Sequence, residues 1–391
     1  MGEKKLYPHN QKAFDETMKM LEIVNKVAIV QATGSGKGFL AGEFIRRPFK
    51  GKNILVLAPS TSILTNYKKS LGVSGENIKF ATYAGLMIKY QNYLEGRDSI
   101  FEKLANSTDL LIVDEFHRVG AEKWGKAVIE YIDTMESRGK KVIGLSATPI
   151  RYLDNYRDMV DEIFEGNVVQ GVTLEEAIIE GILPSFKYII SVYGYNEEVE
   201  KLDRQIKRMR ARNDSSYSIG LDEAEATLHK LKLQIDENAV LRDTIQAEIR
   251  NLPEPQKWIV FCSSVEELKE VNESLSFWFN KPLNVFKPMG WKPQDNMLNI
   301  FSVYTDDKGD RTKLNNLNLE MFYEVDKGIN IITCVNKLNE GNHIEGVNGI
   351  IMLRSTISPT IYLQQIGRAL STGNKNRPII FDFINNYNNL K

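Results

Sequence analysis

Cysteine is scarce in this chain, and two other features are missing altogether: a long apolar run and an excess of charge of either sign. The two cysteines, Cys262 and Cys334, sit inside apolar stretches with no ligand-like neighbours at zinc spacing. That pattern excludes a disulfide framework and argues for reduced core thiols rather than a zinc site. No run approaches the roughly 18 apolar residues that a membrane span needs, and no signal-peptide pattern is present. The expectation is a cytoplasmic protein with no membrane partner. Lys plus Arg number 50 against 51 Asp plus Glu, so any contact with nucleic acid has to be a local basic groove rather than a global field. At 391 residues, with 42% hydrophobic and 26% charged side chains, the chain has a globular composition and the length for two domains with separate cores.

What the sequence does have is a strand, a glycine-rich loop and a helix in succession. Val27 to Val30 reads as a buried strand, Thr33-Gly34-Ser35-Gly36-Lys37-Gly38 as the loop, and Phe39, Leu40, Phe44 and Ile45 as the apolar positions of a helix. Glycines at such a turn let backbone N–H groups crowd around phosphate oxygens. The helix N-terminus adds partial positive charge, and Lys37 neutralises the outer phosphates. Two positions depart from the P-loop pattern G-x-x-x-x-G-K-[ST]. Gln31 stands at its first glycine, and Gly38 replaces the hydroxyl residue that ligates Mg²⁺.

The second chemical anchor is Asp109 to His117, DLLIVDEFH. Its apolar residues read as a buried strand that delivers Asp114 and Glu115 to the C-terminal tip. One acid there can hold the Mg²⁺ that bridges β- and γ-phosphates, and the next can polarise the attacking water. Adjacent carboxylates at a strand end are costly unless a cation or a proton sits between them. His117 reads either as a coupling residue or as a satisfied structural histidine. Lys141 to Ile150 is a further strand, ending in Ser146-Ala147-Thr148-Pro149, whose short hydroxyls suit a relay beside Glu115.

Around these anchors, His9 and Gln11 precede an amphipathic helix running to about Asn25. The Gln11 amide can read adenine, or can be an ordinary helix-surface group. Asn53 to Ser60 and Ile78 to Thr82 read as parallel-sheet strands with their C-terminal ends on the ligand side. Ser60 and Thr82 could there hold nucleic-acid phosphates or simply cap helices.

Leu183-Pro184 marks a break between domains at 1–183 and 184–391. After an apolar strand at Phe186 to Tyr193, residues 197–251 are charged, helical in pattern and free of proline. Val199, Leu202, Ile206 and Met209, then Leu221, Ala224, Leu228, Leu231 and Ile235, recur at helical spacing, which predicts an inserted helical hairpin. Its basic residues, Lys201 to Arg212, could hold a nucleic-acid backbone, although interleaved acids favour a solvated face. Trp258 to Cys262, Gly328 to Cys334, Gly349 to Leu353 and Pro378 to Phe383 read as strands alternating with helices, which predicts a second parallel sheet. No second glycine-rich loop occurs, so the two sheets would share one nucleotide. Arg368, entering that cleft from the second domain, would stabilise charge on the transferred phosphoryl group; on its own it would be a helix-surface arginine.

Lys37 in its loop, Asp114-Glu115-Phe116-His117, Ser146-Ala147-Thr148, the Phe261 region, Leu338 to Gly341 and Gln364 to Arg368 come in the order of motifs I to VI of the superfamily 2 helicases. Apart from the hairpin, nearly the whole chain resembles the DExH-type (DEAD/DEAH-box-like) group that includes restriction-enzyme motor subunits. The resemblance implies two RecA-like α/β domains flanking a nucleotide cleft. It implies Lys37 on phosphate, Asp114 on Mg²⁺, Glu115 on the hydrolytic water, Gln11 on adenine, and Gln364 and Arg368 facing the nucleotide. Asn339, Glu340 and Gly341 would couple nucleotide to nucleic acid. Ser371 stands where the family's last motif carries a second arginine.

The expectation is an ATP hydrolase that uses Mg²⁺ and moves along or unwinds DNA or RNA as a helicase or translocase. Two alternatives remain open from the residues. An ATP-gated clamp with weak hydrolysis is favoured by Gly38 and Ser371 and opposed by the intact Asp114-Glu115 pair. A motor fragment of a larger restriction or defence protein would have further domains or subunits beyond residue 391.

Overall fold

The computed structural model describes residues 5–391 except 72–74, 152–153, 155, 191–201, 203–205, 207–236, 306–310, 336–343, 345, 357–358, 371–376, 385 and 387–391. Apolar runs bounded by turn residues become strands here because a parallel sheet covered on both sides buries every side chain along them. The first five are β1 (Lys26–Val30), β2 (Ile54–Ala58), β3 (Ile78–Thr82), β4 (Leu110–Asp114) and β5 (Lys141–Ser146). A short antiparallel ribbon follows, β6 (Ile150–Arg151) with β7 (Arg157–Asp158), and then β8 (Val168–Gln170). The sheet runs β3-β2-β4-β5-β1-β8 with every pair parallel. One face packs Leu55, Tyr83, Phe116, Tyr131 and Phe164; the other packs Phe14, Leu40, Phe44, Val56 and Ile112.

Register sets the height of each strand tip in this sheet. Val30 pairs with Ser146, and Asp114 with Leu145. The tips of β1, β4 and β5 are therefore level, and the segments leaving them start side by side.

The second sheet contains β9 (Lys187–Ile190), β10 (Gln256–Phe261), β11 (Leu283–Val285), β12 (Leu298–Val303), β13 (Ile329–Cys334), β14 (Gly349–Met352) and β15 (Ile379–Asp382). Its order is β11-β12-β13-β10-β14-β15-β9, again entirely parallel. Trp258, Phe279 and Phe381 fill one face, and Phe261, Phe301 and Phe322 the other. Two parallel α/β sheets were expected, and two are present. Val169 belongs to the first lobe's core whereas Ala177 and Leu183 pack into the second's, so the chain changes cores between them.

Most of the expected hairpin at 197–251 lies outside the described residues. Its last part, Glu237–Ile249, is a helix that buries Ile245 and Ile249 against the Trp258 face. Cys262 and Cys334 are buried free thiols. Among the described residues no helix is long and apolar enough to cross a membrane.

Gly349 is the tightest position in the second sheet. A Cβ there would lie 2.2 Å from the Ile379 carbonyl oxygen and 2.4 Å from Trp258 Cζ3. Gly349→Ala is expected to destabilise the second lobe by about 1–3 kcal/mol. Gly38→Ala, whose Cβ meets nothing within 4 Å among the described residues, should stay within about 0.5 kcal/mol of the parent. Urea unfolding of the intact chain compares the two.

Candidate active site

The loop leaving β1 is held from several sides. Gly34 and Gly36 have φ of +83° and +96°, which a side chain would strain. Ser35 is fully buried, and its hydroxyl donates to the Ala32 carbonyl at 2.6 Å. The helix Lys37–Arg46 starts directly from the loop with no side-chain cap. Its first residue, Lys37, turns its ammonium back onto the carbonyls of Gln31 at 2.9 Å and Ala32 at 3.1 Å. Burial pulls the Lys37 pKa down, the charges of Glu115 and Asp114 oppose that, and Arg368 adds to the lowering. Lys37 is thus within electrostatic reach of both carboxylates and of Arg368.

The acids come from β4. Burial, and after it the Glu115 charge, push the Asp114 carboxyl up to about 7, while Lys37 and a hydrogen bond from the Tyr67 hydroxyl pull it down. Tyr83 donates to the Asp114 carbonyl at 2.5 Å. Glu115 then adopts a left-handed conformation, φ 54° and ψ 50°, rare for a residue with a side chain. The turn ends the strand and starts the short helix Phe116–Gly120. Glu115 Oε2 is buried with no hydrogen-bond partner.

His117 links β4 to β5. Its Nδ1 lies 2.8 Å from Ser146 Oγ and 3.4 Å from Glu115 Oε2. Ser146 spends its one proton on the Thr148 carbonyl at 2.6 Å. It must therefore accept from His117, which fixes the proton on Nδ1. Burial holds the imidazole pKa at about 4, so the approach to Glu115 is not an ion pair near neutral pH. Arg151, from the β6–β7 ribbon, donates to the His117 carbonyl at 3.1 Å.

The second lobe reaches this site through the helix Pro359–Gly367. A Cβ on Gly367 would lie 2.7 Å from Thr33 Cβ, and one on Gly34 would lie 2.2 Å from the Leu370 carbonyl oxygen. Gln364 and Arg368 are both buried there, and Gln364 Nε2 has no hydrogen-bond partner. A cavity of about 220 Å³ opens alongside, lined among others by Thr33, Thr148, Gly171, Thr173 and Leu363.

The structure thus places Thr33 to Gly38, Asp114, Glu115, His117, Ser146 and Thr148 at the strand tips of the first lobe, with Arg368 within electrostatic reach of Lys37 and Gln364 four residues before it. Gln11 instead spends its amide on Asp15 at 2.8 Å and on Arg47 at 3.4 Å, on the outer surface of the first helix (Pro8–Ile23). Ser60 accepts from the Ile63 N–H at 3.5 Å and Thr82 from the Gly85 N–H at 3.0 Å, both in helix-capping positions. Asn339, Glu340, Gly341 and Ser371 lie outside the described residues. Sequence reasoning missed Asn10, the inward role of the Gln31 side chain, and the Tyr67 and Tyr83 hydroxyls. An asparagine on the buried side of an amphipathic helix was the one signal for Asn10.

The donor set suits a phosphate ligand with a divalent cation. Carboxylate oxygens are hard ligands, and the orphaned Glu115 Oε2 calls for a water or a cation. Among the described residues no group of three or more His, Cys, Asp or Glu could hold a metal ion alone. A cation here would have to share its coordination with oxygens of the ligand.

Residues 3–151 match the family model of the type III restriction enzyme, res subunit. The chain is 25% identical over 275 residues to the type I restriction enzyme EcoAI endonuclease subunit of Escherichia coli, covering 64% of this chain and 31% of that one. The fold resembles the ATP-dependent type ISP restriction-modification enzyme LlaBIII bound to DNA, with a TM-score of 0.60 and 16% identity over 97% of this chain and 28% of that one. It also resembles the Hef helicase domain of Pyrococcus furiosus, with a TM-score of 0.53 and 15% identity over 95% of both chains. The resemblance to restriction-enzyme subunits therefore holds in sequence, that to helicases holds in fold, and the two sheets match the RecA-like lobes of those structures. This chain spans about a third or less of the two restriction enzymes it matches.

The buried imidazole gives a pH signature. Below its ordinary pKa of 6.5 the unfolded chain takes up a proton that folded His117, at about 4, refuses. Stability from this group is therefore complete above about pH 6.5 and is lost progressively down to about pH 4, a change of about 3 kcal/mol. His117→Gln cannot titrate. Urea unfolding of parent and variant at about pH 7 and about pH 4.5 should show the parent losing more stability on acidification, by roughly that amount. A parent–variant difference independent of pH would contradict the buried neutral imidazole.

Proposed function

We propose that this chain is an ATP-hydrolysing nucleic-acid motor, a helicase or translocase module of the kind used by restriction enzymes, acting on DNA in the cytoplasm. The observation that supports the reading is the packing of the second lobe onto the loop, Gly367 against Thr33 and Leu370 against Gly34, which sets Arg368 within electrostatic reach of the buried Lys37.

In this reading Lys37 exchanges its two carbonyl partners for phosphate oxygens. Its low-dielectric surroundings make that charge worth more than it would be in water. Asp114 would hold Mg²⁺, which neutralises charge on the β- and γ-phosphate oxygens when bound. Glu115, its Oε2 unengaged, orients and polarises the attacking water. His117, Ser146 and Thr148 form a chain of contacts between the acids and the strand tip beside them. Arg368 and Gln364 belong to the other lobe, so hydrolysis requires the lobes to be together and release lets them part. That alternation is what moves a polymer lying across the strand tips. Backbone contact of this kind is salt-sensitive and largely indifferent to base sequence.

An ATP-gated clamp has one specific observation in its favour. Among the described residues nothing lies within 4 Å of a Cβ built on Gly38, so none of them fills the space of the missing hydroxyl residue. The lengths of the related restriction enzymes support further domains or subunits in the working assembly.

ATP turnover with and without single- and double-stranded DNA and RNA separates the readings. A motor shows polymer-stimulated turnover that Lys37→Ala and Glu115→Gln abolish and that Arg368→Ala lowers by about three to five orders of magnitude. A clamp shows ATP-dependent DNA binding with negligible turnover in the parent. Gly38→Thr is expected to raise turnover, and no change would mean that another group already completes the metal's coordination.

A further inference from the structure

Three side chains, His9, Asn10 and Gln31, grip the glycine-rich loop from behind. Asn10, fully buried in the first turn of the helix Pro8–Ile23, donates from Nδ2 to the Ser35 carbonyl at 3.0 Å. The His9 ring meets the same oxygen at 2.8 Å. Gln31, also buried, donates from Nε2 to Asn10 Oδ1 and to Ser35 Oγ, both at 2.7 Å. With the Ser35 hydroxyl on Ala32, the network closes around one residue of the loop.

The C=O and N–H of one trans peptide point in opposite directions. Because the Ser35 carbonyl is taken by Asn10 and His9, the N–H of Gly36 faces away from the helix. Gly36, at φ +96°, is a residue that would otherwise let this peptide rotate. An added Cβ on Gly36 would lie 2.8 Å from Asn10 Nδ2, so the two are fitted to each other. The same network accounts for Gln31 at a position where the loop pattern has glycine. Its side chain turns onto Asn10 and Ser35 instead of into the loop mouth, and the room for it is left by Gly171, whose Cβ would lie 2.7 Å from Gln31 Oε1.

We propose that Asn10 and Gln31 are positioning residues that lock the Ser35–Gly36 peptide with its N–H turned toward the bound phosphates. The inference rests on the ATP reading above. A donor fixed before the ligand arrives costs no reorganisation on binding, which makes it stronger than one on a freely rotating peptide.

The test is equilibrium binding of AMP, ADP and ATP to the full 391-residue chain by calorimetry, with the thermal midpoint measured alongside. Parent, Asn10→Ala, Gln31→Met and the double variant are compared. Each single substitution is expected to weaken ADP and ATP about tenfold or more while leaving AMP unchanged. The double variant should lose little beyond the weaker single, because both residues act on one peptide. Unchanged ADP affinity in both variants overturns the inference. So do equal losses for AMP and ADP that follow the thermal midpoint, since they would reduce the network to support of the fold. Should Asn10→Ala not fold, Gln31→Met alone carries the same comparison. A parent chain that binds neither ADP nor ATP overturns the ATP reading and this inference with it, a result distinct from a binding parent with unaffected variants.

Discussion

Two cations and two carboxylates share a site from which most water is excluded, and the cost of desolvating them shapes everything around it. An ion taken out of water costs several kcal/mol unless it finds compensating partners. Lys37 finds two loop carbonyls, and Asp114 finds the Tyr67 hydroxyl and the neighbouring positive charge. These arrangements work only if the loop, the acids and the tyrosines are placed to a fraction of an ångström. The parallel sheet supplies that placement, because its registers bring the tips of β1, β4 and β5 level. The fold is in this sense the means by which like and unlike charges are held at one depth.

Glycine has a second use at the contact between lobes. At Gly34 and Gly367 the absent Cβ lets the loop meet Leu370 and Thr33 of the opposing segments at backbone distance. A side chain at either position would push the lobes apart and move Arg368 away from the charges it has to reach. Packing at two residues thus sets the electrostatics at four others, and through them the dependence of chemistry on closure.

Much of this was legible in the residues. The strand runs at Val27, Asn53, Asp109 and Lys141, each ending in polar or glycine residues, announce a parallel sheet with its functional side at the strand tips. The convergence of Lys37, Asp114 and Arg368 follows once two such sheets are inferred. What escaped notice did so for physical reasons. β12 (Leu298–Val303) hides its signal because Asn299 and Ser302 interrupt the apolar run. In the fold, Asn299 bonds to Asn330 and the Lys327 carbonyl, and Ser302 to Thr333 and Asn272. Asn10 and Gln31 act through partners 25 and 21 residues distant, and no local pattern encodes a pairing of that kind. Gln11 stayed open between adenine and the helix surface, because either place uses the same amide. Its neighbours Asp15 and Arg47 offer the amide an adequate home on the helix exterior.

The edge of the second sheet carries a consequence for how the molecule comes into being. β9 (Lys187–Ile190), the first strand of that lobe, lies parallel to β15 (Ile379–Asp382), the last. All the described strands of the first lobe exist once Gln170 has left the ribosome, so it can assemble during synthesis. Among the described strands β9 pairs only with β15, so that pairing waits until Asp382 has been made. Pairing over so great a sequence separation is slow and leaves an open strand edge in the meantime. Assembly of the two lobes is therefore lopsided: the first can mature early, and the second stays vulnerable to wrong partners until β15 arrives.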